Sequence, residues 1–225
     1  MRGHGDSTRP ADGQFAWSGF ADDVLAVVDG FRLDLPIGVG HSKGGAALVL
    51  AEARKPGTFR SLWLFEPVIF PPSFAFTGEN PLAAGARRRR SRFDSWAAAE
   101  ANFSAKPPLD VLSPEALREY VTHGFALQPD GSVELKCRPE DEAQVFEMAG
   151  QSHAWEVVEQ IGCPVTVVRG ARSTPGPASF ADDLAVRFPH GTLEAHEELG
   201  HFGPLEDPEA MARSVLASLV SAPPT

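Results

Sequence analysis

The 225-residue chain is short of three things: it has two cysteines, no apolar run of membrane length, and only 20 Lys and Arg against 30 Asp and Glu. Each shortage removes a class of function. Cys137 and Cys163 form no metal-ligand cluster and nothing marks the chain for export, so two reduced thiols are expected, with no disulfide, metal or organic cofactor. No window approaches the ~18 consecutive apolar residues a spanning helix needs, and the opening MRGHGDSTRP lacks a signal peptide's apolar core. A cytoplasmic protein that does not engage membranes is therefore expected. The formal net charge of −10 opposes nonspecific binding to nucleic acid. The one basic run, Arg87 to Arg90, has no glycine cradle or interleaved aromatics and reads as solvated surface. No internal repeat is present.

What remains is an ordinary globular composition, 43% hydrophobic and 22% charged, enough for one compact domain with an inserted lobe. Short apolar runs alternate with amphipathic ones. Phe20 to Phe31 predicts a helix, with Phe20, Val24, Val27, Val28 and Phe31 at helical spacing. A strand over Pro36 to Gly40, a helix over Gly44 to Arg54 and a strand over Ser61 to Phe65 follow. Residues 71–155 change character, richer in Pro and Arg with amphipathic patches and one turn-and-strand at Asp130 to Cys137, and read as an insertion. Thereafter Cys163 to Gly170 predicts a strand, Phe180 to Phe188 a helix, Thr192 to Glu197 a strand and Pro208 to Val220 a closing helix. This alternation implies an α/β fold with a mostly parallel sheet and flanking helices. The division expected is 1–70 and 156–225 as the core and 71–155 as a mainly helical cap.

The segment Gly40-His41-Ser42-Lys43-Gly44-Gly45 lies between a predicted strand and a predicted helix, the setting in which G-x-S-x-G holds a serine on a sharp turn. Such a turn exposes the Ser42 hydroxyl and places the Lys43 amide, at the helix start, to support an oxyanion. Because G-x-x-x-x-G-K-[ST] is absent, a phosphate loop is not expected. A serine hydroxyl needs a base. Of seven histidines, His201 lies in a loop between the last strand and last helix, which brings it to the same sheet edge as Ser42. His41 adjoins the serine but is expected to point elsewhere on the tight turn, and His4, His123, His153, His190 and His196 lack comparable surroundings.

These stretches, RGHGDS (Arg2 to Ser7), GHSKGG (Gly40 to Gly45), LWLFEP (Leu62 to Pro67) and LGHFGPLEDP (Leu199 to Pro208), resemble the α/β-hydrolase fold family in order and spacing over nearly the whole chain. The resemblance implies a nucleophilic serine, a histidine base, an acid, and a helical cap between core strands. In the family the acid usually stands three residues after the glycine of the strand like VTVVRG, where this chain has Ser173. Some members place it one core strand earlier, the position of Glu66, which is the expected acid, with Asp182 and Asp183 as alternatives.

The resemblance also implies that the family's opening strands and a second oxyanion donor precede the segment like RGHGDS, so this chain is expected to start within the fold. The strand Pro36 to Gly40 would then be an exposed edge, open to pairing in a homo-oligomer. One missing donor costs roughly 2.7–4 kcal/mol. The expected function is cleavage of an ester or related acyl bond of a small, apolar substrate, with ester, lactone and carbon–carbon targets left open. Phe74, Phe76, Phe93, Trp96, Phe103, Phe125 and Trp155 suit an apolar pocket or the cap's own core. The alternative is a catalytically weak hydrolase-like binding or assembly module.

Overall fold

The computed structural model describes residues 1–74, 80–173 and 175–221; Phe76 and the tail from Ala222 fall outside them. The chain divides into two compact units, one of residues 17–75 with 149–225, the other of residues 1–16 with 76–148.

In the larger unit, with elements numbered along the whole chain, β1 (Ile37–His41), β2 (Ser61–Phe65), β6 (Val165–Gly170) and β7 (Gly191–His196) form one sheet in the order β1-β2-β6-β7. Every pairing is parallel, as expected for an α/β class. His41 stands opposite Phe65 and Phe65 opposite Val168, so the first residues beyond β1 and β2 emerge side by side. The helix α2 (Lys43–Arg54) joins β1 to β2, α8 (Ala181–Arg187) joins β6 to β7, and α10 (Pro208–Ser221) follows the sheet. Every residue of β2 is buried, which suits a strand flanked by neighbours on both sides. Trp63 and Phe65 pack with Val168, Leu199 and Met211. The Trp63 indole N–H donates to Ser214 Oγ at 2.9 Å, and that hydroxyl donates to Glu194 at 2.8 Å, so the buried polar atoms of this cluster are satisfied.

The helix α1 (Trp17–Gly30) buries Trp17, Phe20, Ala21 and Val28. Val27 and Phe31, expected on that face, are exposed, because the buried stripe runs through Trp17, Phe20, Ala21 and Val28 and the helix ends before Phe31. Leu33, Leu35 and Val39 are exposed as well, and β1 has a single strand partner among the described residues.

The smaller unit contains α3 (Pro81–Arg88), β3 (Arg92–Phe93), α4 (Trp96–Ser104), α5 (Pro114–Gly124), β4 (Phe125–Leu127), β5 (Val133–Leu135) and α6 (Pro139–Glu147), with the strands antiparallel in the order β3-β5-β4. Side chains of Asn80, Ser95 and Ser113 cap α3, α4 and α5 by accepting backbone N–H groups of Leu82, Ala98 and Ala116. The basic run is largely exposed, as expected, and two of its side chains are also paired: Arg87 binds Glu140 and Glu147, and Arg89 binds Glu142, all on α6. Phe93, Phe103 and Phe125 pack on one another with centroids 5.6–5.9 Å apart, so these three aromatics build the unit's core.

Close approach, rather than backbone freedom, fixes the glycines around Ser42. A Cβ on Gly40 would stand 2.7 Å from Gly45 Cα, and one on Gly45 would stand 2.8 Å from Pro67 Cβ, whereas one on Gly44 would meet nothing within 4 Å. Gly45→Ala is therefore expected to lose about 1–3 kcal/mol by overpacking, while Gly44→Ala holds or slightly raises stability. Urea unfolding of the two variants beside the parent checks the contrast, and equal stabilities would refute it.

Candidate active site

Ser42 sits between β1 and α2 with φ 55° and ψ −122°, a conformation that side chains other than glycine rarely adopt. Backbone hydrogen bonds hold it there. Its N–H donates to the Phe65 carbonyl at 2.9 Å, and its own carbonyl accepts from Val68 and Gly45, both at 3.1 Å. Strain of this kind, of order 1–3 kcal/mol, persists only where the surroundings over-determine it. The following residue, Lys43, opens α2 with its amide and sends its ammonium over the Phe20 ring, 4.2 Å from the centroid.

Glu66 directly follows β2, also with positive φ, 41°, and is completely buried. Its N–H donates to the Val168 carbonyl at 2.8 Å, which anchors the turn to β6. The two carboxylate oxygens have different partners. Oε1 accepts from the Gly170 N–H at 2.9 Å and from the Ser173 hydroxyl, and Oε2 accepts from His201 Nδ1 at 2.7 Å. Burial pushes the carboxyl's pKa up, but the bonds from His201, Ser173 and Gly170 outweigh it and hold Glu66 below the ordinary carboxylate range.

His201 lies between β7 and α9 (Gly203–Glu206). Gly203 packs so tightly on the Phe65 ring that a Cβ there would come within 2.4 Å of it, and the Gly200 N–H donates to Glu206 at 3.0 Å. A carboxylate only accepts, so Nδ1 carries the His201 proton, leaving the Nε2 lone pair to face Ser42 Oγ at 3.2 Å. The hydroxyl can donate to Nε2, and the assembled row is serine, imidazole, carboxylate.

The structure thus brings together Ser42, His201 and Glu66, with Lys43 adjoining. Asp182 instead faces Arg169 at 3.5 Å, and Asp183 is exposed. Other histidines bind elsewhere: His4 to the Arg2 carbonyl, His123 to Glu119, His153 to Glu156, and His196 to Glu194. Two contributors escaped the sequence reading. Ser173 is more than the place of an absent carboxylate, since its hydroxyl binds the carboxylate that is present. His41 does not turn away from the site: its Nε2 lies 2.7 Å from the His201 carbonyl. Neither contact has a sequence signature beyond proximity to a motif. Among the described residues no cluster of His, Cys, Asp and Glu is arranged to hold a metal. No helix among them is long and apolar enough to cross a membrane.

Comparison with known proteins agrees with this architecture. The sequence profile of the alpha/beta hydrolase family matches residues 1–214. The type I acyl-CoA thioesterase mpaH' of Penicillium brevicompactum is 29% identical over 116 residues, covering 49% of this chain and 26% of that protein. The chain therefore spans about a quarter of the length of the curated relatives it matches. Among solved structures, an E-2-(acetamidomethylene)succinate hydrolase superposes with a TM-score of 0.84 at 22% identity, covering 98% of this chain and 80% of that one. An esterase from M. tuberculosis superposes with a TM-score of 0.74 at 22% identity, covering 98% and 75%.

The depressed Glu66 pKa has a defined sign. The carboxylate contributes its stabilisation in full above the unfolded-state value and loses it as pH falls through the lower folded value. Ser173→Ala removes one donor, so the folded value should rise toward the ordinary range and the contribution shrink. Side-chain carboxyl NMR should show Glu66 titrating at higher pH in this variant, with acid unfolding beginning at higher pH. An unchanged Glu66 titration would refute the role assigned to the hydroxyl.

Proposed function

The chain belongs to the alpha/beta hydrolase family, and from that premise we propose that it is a serine-dependent hydrolase cleaving an ester or related acyl bond of a small, apolar substrate. The observation that carries the reading is the row in which His201 Nε2 lies 3.2 Å from Ser42 Oγ while its Nδ1 lies 2.7 Å from Glu66. Ser42 Oγ attacks the substrate carbonyl as His201 Nε2 takes its proton, and Glu66 stabilises the resulting imidazolium. The oxyanion of the tetrahedral intermediate draws on the Lys43 amide at the start of α2. The imidazolium then protonates the leaving group, and a water activated by the same histidine releases the acyl group from Ser42.

Substrate preference is read from the segments beside this row. Phe70 and Phe74, which follow Glu66, meet Phe180, which follows β6, with centroids 4.3–5.8 Å apart and all three rings half-buried. This cluster supports an apolar acyl group. Residues 71–155 are read as a cap that selects substrate. Small-molecule chemistry in a cytoplasmic setting, with Cys137 and Cys163 as thiols, completes the reading.

The test is intact-mass detection of fluorophosphonate labelling on the purified chain. One adduct is expected on the parent, none on Ser42→Ala, and labelling slowed at least about 100-fold in Glu66→Gln. A folded, soluble parent that takes no adduct would sink the proposal.

A second reading, self-assembly, is favoured by the exposed Val39 of β1 and by Phe31, Leu33 and Leu35, exposed in the segment that leads into it. Edges of this kind invite pairing. Sedimentation velocity across a concentration series should show a discrete oligomer that Val39→Lys weakens; a monomer at every concentration would eliminate this reading.

A further inference from the structure

We propose that His41 is a positioning residue, whose Nε2–H, donated to the backbone carbonyl of His201, fixes where the His201 imidazole stands over Ser42. The inference rests on the reading of His201 as the proton carrier and adds to it a part that the serine–histidine–carboxylate row does not contain. A carbonyl only accepts, so the 2.7 Å contact places the proton of a neutral His41 ring on Nε2. That ring is half-buried and enclosed by aromatics: His201 at 4.9 Å between centroids, Phe65 at 5.9 Å and Phe202 at 6.2 Å.

The location gives the bond its consequence. His201 lies in Gly200-His201-Phe202-Gly203, a stretch with a glycine on either side of the pair. The nearby backbone bonds, Gly200 N–H to Glu206 and Gly203 N–H to the Gly200 carbonyl, leave the His201 carbonyl itself to His41. Glu66 holds the side chain of His201 at one end and His41 holds its backbone at the other. Since His41 is the residue before Ser42, the bond ties the backbone of the base to the residue adjoining the nucleophile. Displacing a reacting group by 1 Å costs roughly 100-fold in rate, so such a link matters to chemistry more than to folding.

The ring must also stay uncharged beside a histidine that becomes a cation in each cycle. The charged groups facing it are His201 and Glu66. Burial lowers its pKa and the His201 charge lowers it further, against opposing effects of the His201 carbonyl bond and of Glu66, leaving it at about 4.

Two measurements test the proposal. A long-range proton–nitrogen NMR spectrum of the parent protein should show His41 as the Nε2–H tautomer, neutral at pH 5.5. The Nδ1–H tautomer, or titration near the ordinary value of about 6.5, would overturn the bond. Fluorophosphonate labelling of Ser42, read well below each variant's melting temperature, should slow about 10- to 100-fold in His41→Phe, which keeps a ring and loses the donor. His41→Gln, which retains an N–H donor, should recover most of the rate. A role confined to packing predicts the reverse order, and that result overturns the proposal. A parent that labels while His41→Phe labels equally fast sinks this inference alone, whereas a parent that never labels sinks the serine reading and this inference with it. Should His41→Phe not fold, the NMR titration of the parent still decides whether the bond exists.

Discussion

Everything near the serine depends on a carboxylate with no access to water. Glu66 is fully buried, and an isolated charge there would be several kcal/mol out of place. Three donors replace its hydration: a backbone amide, a hydroxyl and an imidazole. With those bonds made, the charged form is favoured over the neutral one, and a permanent negative charge faces His201. That charge sets the imidazole's tautomer. The tautomer in turn leaves a lone pair toward Ser42, so the direction of every proton in the row follows from one satisfied carboxylate.

The backbone that presents these groups is held in unfavourable conformations at two points, Ser42 and Glu66, both with positive φ. Each directly follows a strand of the parallel sheet. Parallel register places the ends of β1, β2 and β6 side by side, so the two turns brace one another: the Ser42 N–H reaches the Phe65 carbonyl, and the Val68 N–H reaches the Ser42 carbonyl. The sheet is the source of this rigidity, because β2 is buried throughout and hydrogen-bonded on both sides. Local strain at the site is thus offset by packing and ladder bonds several residues away.

How far the sequence could be read follows from the range of each interaction. Strands rich in β-branched residues, helices with apolar stripes and a glycine-flanked serine are local patterns, and Ser42, His201 and Glu66 could be named from them together with a family resemblance. Ser173 and His41 could not, because each acts through one hydrogen bond to an atom 107 or 160 residues distant in the chain. The motif glycines show a subtler limit. Gly44 completes the written pattern, yet Gly45 is the one pressed against Pro67, and which of two adjacent glycines is crowded depends on a segment beyond β2. Phe31 was legible as apolar but not as exposed, since helical spacing predicts a face and not where the helix stops.

The arrangement after β6 explains why a serine suits position 173. A carboxylate there would lie within hydrogen-bonding range of Glu66 Oε1, where like charge opposes the ionised form of both groups. A hydroxyl avoids this. It carries no charge, it can donate, and with the Gly170 amide it occupies Oε1 and leaves Oε2 to His201. The loop after β6 therefore contributes donors to a carboxylate held by the neighbouring strand, and a single charge faces the His201 imidazole.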